Sequence, residues 1–282
     1  MTRLLAYLPA LLVTVGLFGA GLLLAAVQSL GGLPVVGEPE WGVDAYRELF
    51  ASPSFWSALG MSAWVAGMGT LVAAVLGTGG ALVLWRLGAG AGLRFLFAWN
   101  LPVPHVVAAW VTLLLFSQSG LWSRLSHAGG LTRTPADFPA LVNDPLALGI
   151  LLELAWKEAP FVGLSVLAAL ARFDGRLLEV ARTLGASRWA RVTRVVLPHV
   201  RPALLSACVL VFAFAFTSFE VPYLLGPTSP ATLPVLAYRA FTDSDLAARQ
   251  GALALSVVTA LLAGLVVALW ARLSLRGAAR DP

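Results

Sequence analysis

An all-α integral membrane protein with six transmembrane helices is what this sequence predicts, on three grounds. Hydrophobic residues make up 59% of the chain and charged residues only 12%, whereas a soluble domain is charged at about a quarter of its positions. Five stretches are apolar over the ~20 residues a helix needs to cross ~30 Å of hydrocarbon: residues 4–30, 56–84, 95–117, 202–224 and 251–271. A sixth stretch, 146–171, is long enough but carries Glu153, Lys157 and Glu158.

The first stretch follows Arg3, as a signal peptide's would, yet its apolar run is about twice the ~7–15 residues of a signal core. It is expected to remain as an uncleaved helix. Residues 31–55 are rich in Gly, Pro and acid, with "WGVDAYRELF" predicting a short helix at the outer surface. The 118–145 segment contains "GGLTRTPADFPALVNDP", too polar to span and too broken by Pro and Gly for one long helix. In 227–250, "TLPVLAYRAFTDSDLAARQ" predicts a short extramembrane helix. The single Cys208 lies inside the fifth stretch, so no disulfide within the chain is possible.

His105, His127 and His199 fall in three separate segments with no carboxylate or thiol at ligand spacing, so no metal site is expected. The only lysine is Lys157, inside "WKEAP", which excludes a phosphate-binding Gly-Lys-Ser/Thr loop, and no Gly-x-Ser-x-Gly elbow occurs. No catalytic residue is expected.

Basic residues set the orientation, because Lys and Arg in short loops stay on the cytoplasmic side. With the N-terminus inside, 13 arginines are cytoplasmic, seven of them between Arg172 and Arg201, and five are outside. Eight acids accompany those five, from Glu38 to Asp245. Both termini are therefore expected in the cytoplasm. The net charge of +5 follows membrane side, so no nucleic-acid partner is implied.

The arginine-rich loop has local structure of its own. Asp174 can cap a helix through "RLLEVARTL", Gly185 stands where a turn belongs, and Ser187 can cap a second helix, "RWARVTRVVL". Pro198 and Pro202 are expected to break the chain before the fifth span. Arginines holding anionic headgroups explain the charge. They do not explain a capped helix pair with a glycine hinge, which points to docking.

These residues resemble the permease subunits of binding-protein-dependent type I ABC importers. The signature there is Glu-Ala-Ala, three residues, Gly, nine residues, then Ile-x-Leu-Pro. Here Glu179, Val180 and Ala181 are followed by Gly185, then by Val195, Val196, Leu197 and Pro198 at the same spacing. Val180 and Val195 depart from the pattern, both as small apolar exchanges. "AWKEAPFVGLSVLAAL" is similar to the family's Trp-x-x-x-Pro-Phe segment. The resemblance implies the type I importer permease fold, with a first helix and outer loop over 1–54, a permease core over 55–273 holding a cytoplasmic coupling loop at 173–200, and a tail at 274–282. It also implies ATPase-coupling roles for Glu179, Ala181, Gly185, Ala186, Leu197 and Pro198.

By the same resemblance the partners are an ATPase dimer that holds ATP and Mg, a second permease, homologous or identical, and an external solute-binding protein, all at the cell inner membrane. The chain itself carries no cofactor. "SFEVPYLLGPTSPATLPVLAYRAFTD" looks more like the branch carrying polyamines, thiamine, ferric iron or aminophosphonates than the sugar branch. A secondary transporter or channel, with a basic loop that only sets topology, is the rival reading.

Ionisable groups at membrane depth are costly, about 2.5–3.5 kcal/mol on insertion scales, and tend to pair or face a wet path. Glu153 and Lys157 stand four apart, and are either candidates for the translocation path or close enough to neutralise each other on one helix face. Glu158 and Glu220 lack an evident sequence partner and are assigned to the translocation path or its outer gate. Phe216, Phe219 and Tyr223 are candidates for the gate's apolar walls.

Overall fold

A computed structural model describes residues 7, 9, 11–34 and 37–278, with the backbone alone for 273–278. Arg3, Arg280 and residues 4–6 of the first apolar stretch lie outside the described residues. Every regular element described is helical. Five helices are long and apolar enough to cross a membrane: α1 (Leu12–Ser29), α3 (Pro53–Arg86), the α5–α6 pair across His105–Ala128, α9 (Arg188–Thr217) and α12 from Ala248. The other elements are α2 (Asp44–Ala51), α4 (Ala91–Ala98), α7 (Leu148–Leu170), α8 (Arg176–Thr183), α10 (Glu220–Leu225) and α11 (Leu233–Phe241). Within His105–Ala128, α5 ends at Phe116 and α6 starts at Leu121.

Two predicted spans are corrected. The 95–117 stretch is not one helix: α4 ends at Ala98 and α5 starts at His105, with Pro102 and Pro104 between them. Proline lacks an amide donor and disfavours helix in the residue before it, so two prolines in three residues interrupt even an apolar run. Conversely, Pro198 and Pro202 do not break the chain, and α9 runs through both from Arg188 to Thr217. Its turn at Val192–Val196 widens to a π-helix, a local adjustment that accommodates the ring of Pro198. The helix stops instead at Ser218, and Glu220 opens the separate α10.

Chain contacts divide the molecule into two compact units, Met1–Met61 with Pro230–Gly264 and Ser62–Ser229 with Leu265–Pro282. In the first unit, protein of this chain covers only 6% of α1's apolar window. Its C-terminal end is held by polar contacts. Ser29 Oγ and Tyr46 Oη lie 2.6 Å apart, and Gln250 Nε2 donates to Ser29 O at 3.3 Å. The chain then turns at Gly31, φ +79°, where a Cβ would fall 2.1 Å from Glu40 O.

The second unit packs through small residues. Ala73, Gly77 and Ala81 recur every four residues on α3, as Val162, Val166 and Leu170 do on α7. A Cβ at Gly77 would sit 2.4 Å from Ala159 O, and one at Gly163 would sit 2.5 Å from the Phe97 ring. Among lipid-exposed helices apolar surface gives no net drive to associate, so contact depends on such close approach. Asp144 starts α7, accepting from Leu146 N at 2.9 Å and Leu148 N at 2.6 Å.

Candidate functional site

The break between α4 and α5 is bound to α7 by groups that proline leaves unpaired. Pro160 inside α7 has no N–H to offer the carbonyl of Trp156 one turn earlier. Asn100 Nδ2 donates to that carbonyl instead. In return, the interrupted backbone presents three carbonyls, and Lys157 Nζ donates to Asn100 O at 3.0 Å, Leu101 O at 3.0 Å and Val103 O at 2.6 Å. An ammonium has three donors. All three are used, and Lys157 is 4% exposed.

This corrects the pairing predicted between Glu153 and Lys157. The Glu153 carboxylate turns to His105, the first residue of α5, with Oε1 at 3.0 Å from Nδ1. Glu158, for which the sequence offers no partner, lies with Oε1 at 3.3 Å from Nε2 of the same ring. Sequence spacing places no carboxylate beside His105, and the fold brings two. Forty-eight residues separate His105 from Glu153, a distance in sequence that spacing rules cannot bridge. Both ring nitrogens face carboxylates, an arrangement that an imidazolium fills with a donor on each side and a neutral ring with one. Phe214 of α9 covers the ring at 4.4 Å between centroids. Glu153 is 1% exposed and its Oε2 is buried with no partner among the described residues. The arrangement can hold and redistribute charge; among the described residues no group of His, Cys, Asp and Glu is suited to a metal ion.

The other predicted path residues gather at the end of α9. Phe216 is 6% exposed and stacks on Phe212 at 5.9 Å, while Phe219 and Tyr223 lie 5.1 Å apart. Glu220 is exposed at the first turn of α10, which packs on α5 and α7.

The α8–α9 unit forms as its residues predict. Asp174 Oδ1 accepts from Arg176 N at 3.0 Å, and Ser187 Oγ from Ala190 N at 3.2 Å. Between them Gly185 adopts φ +78°. Ala186 N donates to Ala181 O at 2.9 Å and Gly185 N to Arg182 O at 3.0 Å, the paired bonds of a Schellman turn. Leu177, Val180 and Leu184 fall on one face of α8 and are 51%, 56% and 81% exposed, with Trp189 76% exposed beyond the turn. Glu179, Leu197 and Pro198 are also at the surface. What anchors this unit is not legible in the local residues. His199 Nε2 lies 3.3 Å from Ala169 O, and Phe173 packs edge-on against both His199 and Trp85, at 5.1 and 5.7 Å.

Residues 4–280 match the family described as the binding-protein-dependent transport system inner membrane component. The chain belongs to that family. It is therefore an integral membrane transport component. Among similar proteins, the inner membrane ABC transporter permease protein YnjC of Escherichia coli (strain K12) is 32% identical over 235 residues, 81% of this chain and 43% of that protein. The trehalose transport system permease protein SugA of Mycobacterium tuberculosis (strain ATCC 25618 / H37Rv) is 28% identical over 70% of this chain and 63% of its own. The putrescine transport system permease protein PotI of Escherichia coli (strain K12) is 28% identical over 70% and 66%. This permease-family chain thus spans about 43% to 66% of the length of those relatives. In fold it is similar to a chain in the crystal structure of a bacterial ABC transporter involved in the import of the acidic polysaccharide alginate. The TM-score is 0.72 at 22% identity, covering 98% of this chain and 94% of that one.

Proposed function

We propose that this chain is the membrane-spanning subunit of an ATP-driven solute importer, docked through α8 and the Gly185 turn onto a separate ATPase. The carrying observation is the exposed apolar face of Leu177, Val180 and Leu184, presented on a helix that is capped, closed by a Schellman turn and tied by Phe173 and His199 to the spans. A rigid unit of this kind transmits displacement to the membrane helices, where a loose loop would absorb it. ATP and Mg belong to the ATPase dimer, a second permease completes the path, and an external binding protein delivers solute. In this reading α7 is a sixth crossing, because its 23 residues reach about 34 Å and its Glu153 and Lys157 find polar partners within the protein. Co-purification is the test: the tagged chain should retain an ATPase subunit through detergent extraction. Extraction without any ATPase, with uptake intact, would favour a transporter that needs no nucleotide.

Both termini and the 173–200 loop lie in the cytoplasm in this proposal, and the 118–145 segment lies outside. A cysteine introduced at Thr134 should react with an impermeant thiol reagent in intact cells, and one at Ser187 should not. The reverse pattern inverts the topology.

For the solute, the proposed class is small and polar or cationic, among polyamine, thiamine, ferric iron or aminophosphonate; relatives named for putrescine and for trehalose keep the sugar branch as the alternative. Glu158 and Glu220 supply negative charge to the proposed path, beside Phe216, Phe219 and Tyr223. Glu158→Gln and Glu220→Gln should each lower uptake several-fold with assembly unchanged. Undiminished uptake in both assigns the two carboxylates to structure.

A further inference from the structure

A basic cleft lies where α3 ends, lined by Arg86, the last residue of that helix, by Arg188 and Arg191 of α9, and by the apolar Trp85, Leu178 and Val192. Arg188 and Arg191 are three apart and share a helix face. None of the ion pairs recorded among the described residues involves these three arginines. Arg191 Nε is buried with no hydrogen-bond partner among them. A buried guanidinium donor without an acceptor leaves a polar group unsatisfied, and a bidentate oxyanion is its natural complement.

The apolar half of the cleft says what carries that oxyanion. Leu76 and Val83, exposed at 52% and 55%, lie behind Arg86 along α3, which is apolar enough to span a bilayer. An occupant with an anionic head at Arg86, Arg188 and Arg191 and a hydrocarbon tail along α3 satisfies both halves. We propose that this cleft binds an anionic phospholipid, its headgroup phosphate held by Arg86, Arg188 and Arg191 and its acyl chain laid on α3. Leu178, which lines the cleft, is turned by about 100° from Leu177 on α8, so the lipid and a protein docked on Leu177, Val180 and Leu184 occupy different faces. A bound headgroup would pin the base of the α8–α9 unit against the end of α3. The proposal goes beyond the importer reading and does not depend on it.

Native mass spectrometry of the full chain, purified alone in detergent and titrated with phosphatidylglycerol or phosphatidylcholine, tests it. Phosphatidylglycerol should bind at least ten-fold more tightly. At about five-fold per arginine near the surface, the Arg188→Gln/Arg191→Gln double variant should lose on the order of 30-fold in that affinity. Arg194→Gln, on the same helix but outside the cleft, should lose less than two-fold, and Arg86→Gln provides an independent single variant if the double one does not insert. Equal affinity for the two lipids, or a double variant that binds as the parent does, overturns the proposal. Displacement of the lipid by excess inorganic phosphate reassigns the cleft to a free anion and overturns it too. So does loss of ATPase co-purification in the double variant without any change in lipid binding, which would assign the arginines to a protein partner.

Discussion

Lys157→Met should lower the thermal midpoint of the detergent-purified protein by about 4–8 °C. The substitution keeps length and apolar volume, and it strands the carbonyls of Leu101 and Val103, which accept from the ammonium at 3.0 and 2.6 Å; Asn100 O, the third acceptor, keeps its bond from Val103 N at 3.0 Å. Each buried carbonyl left unpaired costs about 1–3 kcal/mol. For two carbonyls the sum is about 2 kcal/mol or more, and a domain of this size shifts by about 2–4 °C per kcal/mol. It also leaves Glu153, 1% exposed, with less positive charge nearby, and breaking a buried charged network costs several kcal/mol. Lys157→Arg should fall between, because a planar guanidinium suits two parallel acceptors better than three converging ones. A midpoint for Lys157→Met within 2 °C of the parent would show that the α4–α5 break is held by other contacts.

Gly185→Val should leave the protein inserted and remove transport. At φ +78° a Cβ meets the following carbonyl, which costs about 1–2 kcal/mol for any L-residue and more for a β-branched one. The cheapest relief is to open the Schellman turn, and that reorients α8 relative to α9. Because the turn sits at the surface, with open space around the glycine, spans and insertion should be unaffected. Solute uptake and ATPase co-purification should both fall at least ten-fold. Gly185→Asn, which visits the left-handed region readily, should retain most of both. Uptake by Gly185→Val at the parent level would exclude the turn from coupling.

The turn could be read in the sequence and the lysine clamp could not, for a physical reason. Caps and Schellman turns close within six residues, so Asp174, Gly185 and Ser187 reveal them by identity and spacing alone. The His105 cluster joins residues 48 apart, and its formation depends on how α5 is set against α7. The signal that was available there is the pair Pro102 and Pro104 opposite Pro160. Both breaks leave carbonyls short of donors, and each is supplied by a side chain of the other segment, Asn100 or Lys157, which only packing brings into reach.

Composition and hydropathy by themselves determined that this chain is helical and belongs in a bilayer, since lipid offers the backbone no hydrogen bonds and only helices or closed barrels satisfy it internally. They also determined the local form of the α8–α9 unit. Tertiary structure decided which helices are interrupted and what becomes of the buried charges. Proline breaks a helix only where a neighbour accepts the freed groups: Asn100 and Lys157 meet across the α4–α5 break, whereas the same residue at Pro198 and Pro202 is absorbed in a continuous α9 beside a π-helical turn. The closer spacing of Pro102 and Pro104 is local, but the partners of the freed groups lie in the neighbouring helix, so no window of local sequence contains them.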